Sequence, residues 1–187
     1  MQEFDPVAHF GLFLNREFLD AETCANLLVE VNSSPTTQAP VYIEGTEGTI
    51  HENIRKTTSL HPSDETFSEM WNRLFQQKQL LEDHFGERLS DCERPQFLRY
   101  KEGDFFVRHQ DGNTKQLDFD HLRVRRISIV VFLNDCFNGG ALKFSDSETS
   151  FDLHGETGLL VAFRADVFHE VAPVSSGERF TMISWFR

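Results

Sequence analysis

The sequence predicts a mainly β fold with added helices (α+β): a jelly roll whose N-terminal helices pack on one sheet. Three observations predict it. Nineteen of the 187 residues are Phe, against two Tyr and two Trp, which requires a large apolar interior rather than a disordered chain. From Pro95 onward, short apolar runs are divided by Gly, Asn and Asp at intervals of roughly ten residues, the texture of a sandwich or jelly roll. Before Pro95 the apolar residues recur at spacings of three and four, the period of amphipathic helices.

The elements follow in order. A first helix is expected from about Ala21 to Val31, with Asp20 as N-cap and Leu27, Leu28 and Val31 on one face. The segment Asn32–Pro40 reads as a loop by composition. A second, long helix begins after His61-Pro62, with Ser63 as N-cap and Asp64 and Glu65 where the dipole favours acids. Its stripe is Phe67, Met70, Trp71, Leu74, Phe75, Leu81 and Phe85, and Gly86 stands near its end. Strands are then expected at Gln96–Tyr100, Phe105–Asp111, Arg126–Leu133, Ala141–Phe144, Thr149–Leu153, Gly158–Phe163, Phe168–Pro173 and Arg179–Phe186. One domain, 1–187, is the expectation, with 1–95 as a supporting region and 96–187 as the jelly-roll core.

Composition narrows the function. Eighteen basic against thirty acidic side chains leave a net charge of −12 and a pI near 5.0. Such a surface repels phosphate backbones and anionic lipid, so neither nucleic acid nor membrane is an expected partner. Apolar runs such as Leu159–Phe163 are far too short to span a bilayer. The stretch Met1–Asp5 has neither a basic nor an apolar leader segment. Cys24, Cys92 and Cys136 are an odd, widely spaced set without CxxC, so a reduced, cytoplasmic protein is expected. Nothing in the pattern sets an oligomeric state.

The chemistry centres on His109-Gln110-Asp111, in an alternating strand that stops at Gly112. A period of two puts His109 and Asp111 on one face, where both can chelate a metal. Alone the signal is weak. With eight histidines and thirty acids, about one His-x-Asp/Glu arises by chance, and His154-Gly155-Glu156 at a strand-to-turn junction is another. His169, on a later strand, strengthens the first pair, and Arg179 follows it by ten residues. Two histidines and a carboxylate form a facial triad with open positions, the arrangement used by non-haem Fe(II) oxygenases. The planar, permanently charged fork of Arg179 suits the distal carboxylate of a bidentate co-substrate. Zinc hydrolysis also tolerates His/Asp/His, but it leaves Arg179 without a task. His9, His51, His61, His84 and His121 lack partners at ligand spacing and read as structural, and Gly139-Gly140 is a turn rather than a phosphate loop.

Residues from about Phe97 to Phe186 resemble the iron(II)/2-oxoglutarate dioxygenases, and in particular their prolyl 4-hydroxylase-like branch. Tyr100-Lys-Glu-Gly103-Asp-Phe-Phe106-Val-Arg-His109-Gln-Asp111 is similar to that branch's Tyr-x-x-Gly-x-x-Tyr/Phe-x-x-His-x-Asp. Arg125, Ser128 and Phe132-Leu133-Asn134 resemble its Arg-x-x-Thr/Ser…Tyr-Leu-Asn strand, and Gly139-Gly-Ala-Leu-Lys-Phe144 its Gly-Gly-x-Leu-x-Phe turn. Gly158–Phe163, His169-Glu-Val-Ala-Pro-Val and Gly177-Glu-Arg179 complete the pattern through Trp185, and Phe18–Cys24 is similar to the branch's first helix entry.

The resemblance implies a double-stranded β-helix and a hydroxylase that converts 2-oxoglutarate to succinate and CO2. Fe(2+), 2-oxoglutarate and O2 are the implied cofactors, with ascorbate as a candidate reductant. It makes His109, Asp111 and His169 the metal ligands, Arg179 the co-substrate anchor and Tyr100 its neighbour. Arg125 and Trp185 become substrate-binding candidates. Asp111, in place of Gly or Ala, favours hydroxylation over halogenation. The branch usually has Tyr where this chain has Phe132, and Thr181, on the same strand face as Arg179, could supply the missing hydroxyl. The implied substrate is a prolyl residue of a peptide or protein. A free amino acid or small natural product is the alternative within enzymes, and a non-catalytic metal- or 2-oxoglutarate-binding sensor the alternative outside them. The loop Gly112–Leu122 is expected to overhang the site.

Overall fold

The structure, a computed structural model, describes residues 4–43, 46–114 and 120–187. The described helices are α1 (Pro6–His9), α2 (Ala21–Ser33), α3 (Asp64–Phe75), α4 (Lys78–Phe85) and α5 (Asp120–Arg123). The strands are β1 (Phe13–Asn15), β2 (Thr36–Gln38), β3 (Val41–Ile43), β4 (Thr46–Thr49), β5 (Arg55–Lys56), β6 (Thr58–Leu60), β7 (Gln96–Tyr100) and β8 (Phe105–His109). They continue with β9 (Ile127–Phe132), β10 (Phe137–Gly139), β11 (Leu142–Ser145), β12 (Ser150–Leu153), β13 (Leu160–Arg164), β14 (His169–Val171), β15 (Val174–Gly177) and β16 (Arg179–Phe186). The leader reading of Met1–Asp5 and the loop expected over the site fall partly on residues 1–3 and 115–119, which lie outside the described residues.

Two sheets face each other. The larger has the order β1-β13-β9-β16-β7-β6-β2 and the smaller β12-β11-β14-β8-β5. The eight expected strands divide evenly: β7, β9, β13 and β16 in the larger, β8, β11, β12 and β14 in the smaller. The chain thus crosses repeatedly between sheets, which is the jelly-roll arrangement. Strands β1, β2, β5 and β6, two or three residues each, extend the sheets at their edges. They are too short to carry a legible period of two, and pairing to a neighbouring strand, not their own pattern, holds them.

Three expectations for the N-terminal half are altered, besides the short elements not foreseen there. Helix α2 runs on to Ser33, until Ser34 adopts an extended conformation before Pro35, as proline requires of the residue preceding it. The expected loop 32–40 contains β2, paired with β6. The long helix splits into α3 and α4 at Gln76-Gln77, where the apolar stripe has a gap between Leu74 and Leu81 and the Gln77 N–H bonds back only three residues, to the Leu74 carbonyl. Asp20 and Ser63 do cap their helices, each accepting from the backbone N–H three residues on, and Gly86 closes α4 at φ 65°.

Alternation along the larger sheet sends Phe97, Ile127, Ile129, Val131, Met182 and Phe186 outward, into one core with Leu27, Val31, Met70, Leu74 and Leu81 of the helices. The opposite face looks into the space between the sheets. No described helix is long and apolar enough to cross a membrane.

Candidate active site

His109 closes β8 and His169 opens β14, and the two are direct register partners, their ring centroids 4.2 Å apart. Each Nδ1–H donates to the carbonyl two residues earlier, Val107 at 2.8 Å and Val167 at 3.0 Å. That bond fixes the tautomer, leaving each Nε2 with a free lone pair. Phe106 stacks on the His109 ring at 3.6 Å, and Phe163 meets His169 edge-on at 4.6 Å.

Asp111 reaches the histidines by another route than strand alternation. The strand ends at His109, and the N–H groups of Asp111 and Gly112 both donate to the Ala165 carbonyl, at 2.9 and 3.0 Å. Gly112 is needed there because a Cβ would lie 2.5 Å from that of Arg125. The carboxylate is then aimed by two donors to Oδ2: the Ser128 hydroxyl at 2.7 Å and the Trp185 indole N–H at 2.9 Å. Oδ1 lies 3.4 Å from His109 Nε2, and Oδ2 lies 3.5 Å from His169 Nε2.

The three ligand atoms all fall within 4.8 Å of one another. They converge, yet the carboxylate–imidazole separations are too long for good hydrogen bonds, as suits atoms arranged around a cation. Burial, and then the His109 charge, lower the pKa of His169 to about 4. Burial works against ionisation of Asp111, but the two histidines and Arg125 outweigh it and hold the carboxyl well below its usual range. Neutral imidazole and ionised carboxylate are the donor forms a divalent iron takes, so the residues fit the metal. Among the described residues no other cluster of three or more such side chains is suited to a metal. Glu156 of the second His-x-Glu string instead pairs with Arg16, at 3.0 Å.

Arg179 lies on the larger sheet across the same cavity, about 390 Å³ in volume, and is 1% exposed. Its guanidinium carbon is 5.1 Å from the Tyr100 ring centre and 4.9 Å from that of Phe132. Nη1 donates to Thr181 Oγ1 at 3.3 Å, while Nε and Nη2 are buried without a hydrogen-bond partner among the described residues. Burial lowers its pKa to about 10, against the opposing influence of Tyr100, so it stays charged at neutral pH. A buried cation with unmet donors costs several kcal/mol, which an anionic ligand offsets. A distal carboxylate of 2-oxoglutarate fits that need.

Arg125 and Trp185 also line the cavity. Arg125 forms a fork to Glu93, Nε to Oε1 at 3.0 Å and Nη2 to Oε2 at 2.7 Å, and stacks over Trp185 at 3.5 Å. Arg125 is thus held by Glu93, and the single N–H of Trp185 is taken by Asp111. Ser128 on Asp111 is a contact that sequence reasoning passed over, although one polar residue inside the buried run Ile127–Phe132 was its signal.

Residues 95–187 match the family model of the 2OG-Fe(II) oxygenase superfamily. Residues 95–187 belong to that superfamily. A PKHD-type hydroxylase of Cupriavidus pinatubonensis is 31% identical over 96 residues, which are 50% of this chain and 42% of that protein, so the match spans less than half of the relative. A PKHD-type hydroxylase of Sphingopyxis alaskensis is 23% identical over 151 residues, 78% of this chain and 67% of the relative. Among solved structures, a Pseudomonas putida prolyl-4-hydroxylase matches with a TM-score of 0.72 at 23% identity, over 97% of this chain and 94% of that one. A Trichoplax adhaerens prolyl hydroxylase, in complex with a peptide fragment of the hypoxia inducible factor oxygen degradation domain, also reaches 0.72, at 15% identity over 96% and 84%. These structures share the jelly-roll fold with this superfamily member. Membership implies Fe(2+), 2-oxoglutarate and O2 as the reacting set.

Proposed function

We propose that the chain is an Fe(II)/2-oxoglutarate-dependent hydroxylase acting on a prolyl residue of a peptide or protein. The observation that carries this reading is one cavity lined both by a convergent His109/Asp111/His169 set and by Arg179, a buried cation with two donors unpartnered among the described residues. The three ligands would hold the iron, and Arg179 with Thr181 and Tyr100 would hold the far carboxylate of 2-oxoglutarate. When bound, iron, O2 and 2-oxoglutarate together supply the oxidising power that hydroxylates an unactivated carbon, with release of succinate and CO2.

The chain's own residues position and shield. Ser128 and Trp185 hold Oδ2 of Asp111, orienting the carboxylate toward the metal position. Phe132, without a phenol, covers a face of the guanidinium, and Thr181 provides the hydroxyl beside it. Leu98, Leu142, Val171 and Ile183 give the cavity apolar walls that limit water. Arg125 and Trp185 would border the substrate, with their positions fixed through Glu93.

Hydroxylation is supported by the names of the curated relatives, and the prolyl substrate by the two prolyl hydroxylase structures, one of them in complex with a peptide. Residues 1–187 form the proposed catalytic unit, with ascorbate as an external reductant. The free cysteines Cys24, Cys92 and Cys136 support a reducing, cytoplasmic setting. The test is mass spectrometry for a +16 Da product after offering proline-containing peptides, free proline and a cell extract with iron and 2-oxoglutarate. A modified peptide is the expected result; modified free proline alone would move the substrate to small molecules. No succinate under air would mark a sensor. One ferrous ion per chain is expected in anaerobic preparations, lost on His109→Ala or His169→Ala, and unchanged stoichiometry in both would overturn the ligand assignment.

A further inference from the structure

A second guanidinium, largely buried, borders the same cavity and a neighbouring one, and has no counter-charge among the described residues. Arg55, on the two-residue edge strand β5, is 9% exposed and pairs in register with Phe106 of β8. Its guanidinium carbon lies 4.8 Å from the centre of the Phe106 ring, whose other stacking partner is His109 at 3.6 Å. Nη1 donates to the Pro40 carbonyl at 3.2 Å, and Nε is buried without a partner among the described residues. Among the described residues no carboxylate pairs with it; the neighbouring Asp104 is taken by Lys56, at 3.2 Å. Arg125, the other arginine near the triad, is paired with Glu93, a carboxylate that Arg187 also contacts at 3.1 Å.

A purely structural Arg55 would be an expensive choice. The cation–ring contact and one neutral hydrogen bond leave a largely desolvated charge in place, and a buried charge without its opposite is destabilising. Asp111 does not relieve it, because that carboxylate belongs to the ligand set. Arg179 already answers the anion deep in the cavity. Two unpaired guanidiniums in one cavity therefore call for two anions, and the co-substrate provides only the one on Arg179. We infer that Arg55 recognises a carboxylate of the substrate, so that the peptide carries an acidic side chain or free C-terminal carboxylate close to the residue oxidised. The inference rests on the hydroxylase reading for the identity of the peptide, but the recognition itself is a binding property. Arginine suits it better than lysine, since its planar fork keeps donors for a carboxylate while Nη1 remains on Pro40.

The experiment uses the whole chain, anaerobic, with Fe(II) and excess 2-oxoglutarate so that Arg179 is already paired. The probes are short acetylated, amidated peptides centred on proline, with Asp or Glu scanned through the three positions on either side, each against its Asn or Gln isostere. Two further probes carry a free C-terminal carboxylate in place of the amide. Binding is measured at equilibrium on wild type, Arg55→Gln and Arg55→Lys, and air is then admitted to look for the +16 Da product. The expected result is that one acidic position binds at least about tenfold more tightly than its isostere, as a charge-assisted pair gives. Arg55→Gln should erase the preference, and Arg55→Lys, which keeps the charge without the fork, should retain part of it. Preference for the free C-terminus alone would identify that carboxylate as the source. Equal binding of acids and isosteres, a preference that survives in Arg55→Gln, or no binding by any peptide would overturn the inference. Preferential binding without any oxidised product would overturn the hydroxylase reading and leave the recognition standing. Oxidised product with equal binding would do the reverse.

Discussion

The two faces of the larger sheet are made by alternate residues of the same strands, and they obey different rules. On β16, Phe180, Met182 and Phe186 enter the core beneath the helices, whereas Arg179, Thr181, Ile183 and Trp185 line the cavity. On β9, Ile127, Ile129 and Val131 look toward the helices, while Ser128 on the other side holds Asp111. The outward face meets its needs within the chain. The inward face gathers groups suited to ligands: three convergent imidazole and carboxylate side chains, and guanidinium donors of Arg179 that find no acceptor among the described residues. The helix-covered side therefore supplies stability, and the cavity side carries a cost in stability that ligands offset.

That contrast can be broken first at Arg179. Arg179→Met should lower 2-oxoglutarate affinity by about a hundredfold or more, since a desolvated charge pair is lost. The ligand-free variant should nevertheless match or exceed wild-type stability, by roughly 1–3 kcal/mol, because an uncompensated buried charge has been replaced by apolar volume. Titration calorimetry and denaturant unfolding check the two halves, and a destabilised variant with normal affinity would reverse the assignment of the faces. The neighbouring position gives the mirror image. Met182→Ala should cost about 2–5 kcal/mol in unfolding free energy through a cavity under the helices, with co-substrate affinity unchanged in the folded protein.

Trp185→Phe sharpens the comparison within the inward face. The ring remains for Arg125 to stack on, but Asp111 loses one of its two orienting donors, so iron affinity should fall roughly tenfold to a hundredfold. Competition with a chelator measures it; wild-type affinity would show that Ser128 alone orients the carboxylate. The smallest effect is expected at Thr181→Val, a near-isosteric change that removes the hydroxyl beside Arg179. About a tenfold loss in 2-oxoglutarate affinity is expected from a hydrogen bond to a charged group, and equal affinities would show that something else replaces the missing phenol at Phe132.

Much of the site was readable because its signals are local in sequence. His109 and Asp111 are two residues apart, and Arg179 and Thr181 share a face by simple alternation. Even so, the reason offered for the first pair was incomplete: Asp111 lies beyond the strand end and is turned by two backbone bonds to Ala165, which sequence spacing cannot show. Arg125 and Trp185 were legible as cavity residues, but not as partners of Glu93 and Asp111. Arg55 gave no signal, since a two-residue edge strand has no period and its arginine stands beside a lysine in a polar stretch.

By itself the sequence determined the helix caps, the eight principal strands, which residues of each strand share a face, and the kinds of donor available for a metal and an anion. These are set by dihedral preferences and by periods of two and 3.6, which act over a few residues. Only the tertiary structure decided where the long helix breaks, that short segments before residue 61 extend both sheets, and which charges find a partner. Those outcomes depend on contacts between residues distant in the chain: Glu93 is 32 positions from Arg125, and Trp185 is 74 from Asp111. Whether a buried arginine is neutralised or left open to a ligand follows from the folded neighbours it meets, because desolvation and Coulomb attraction act through space and have no period in the chain.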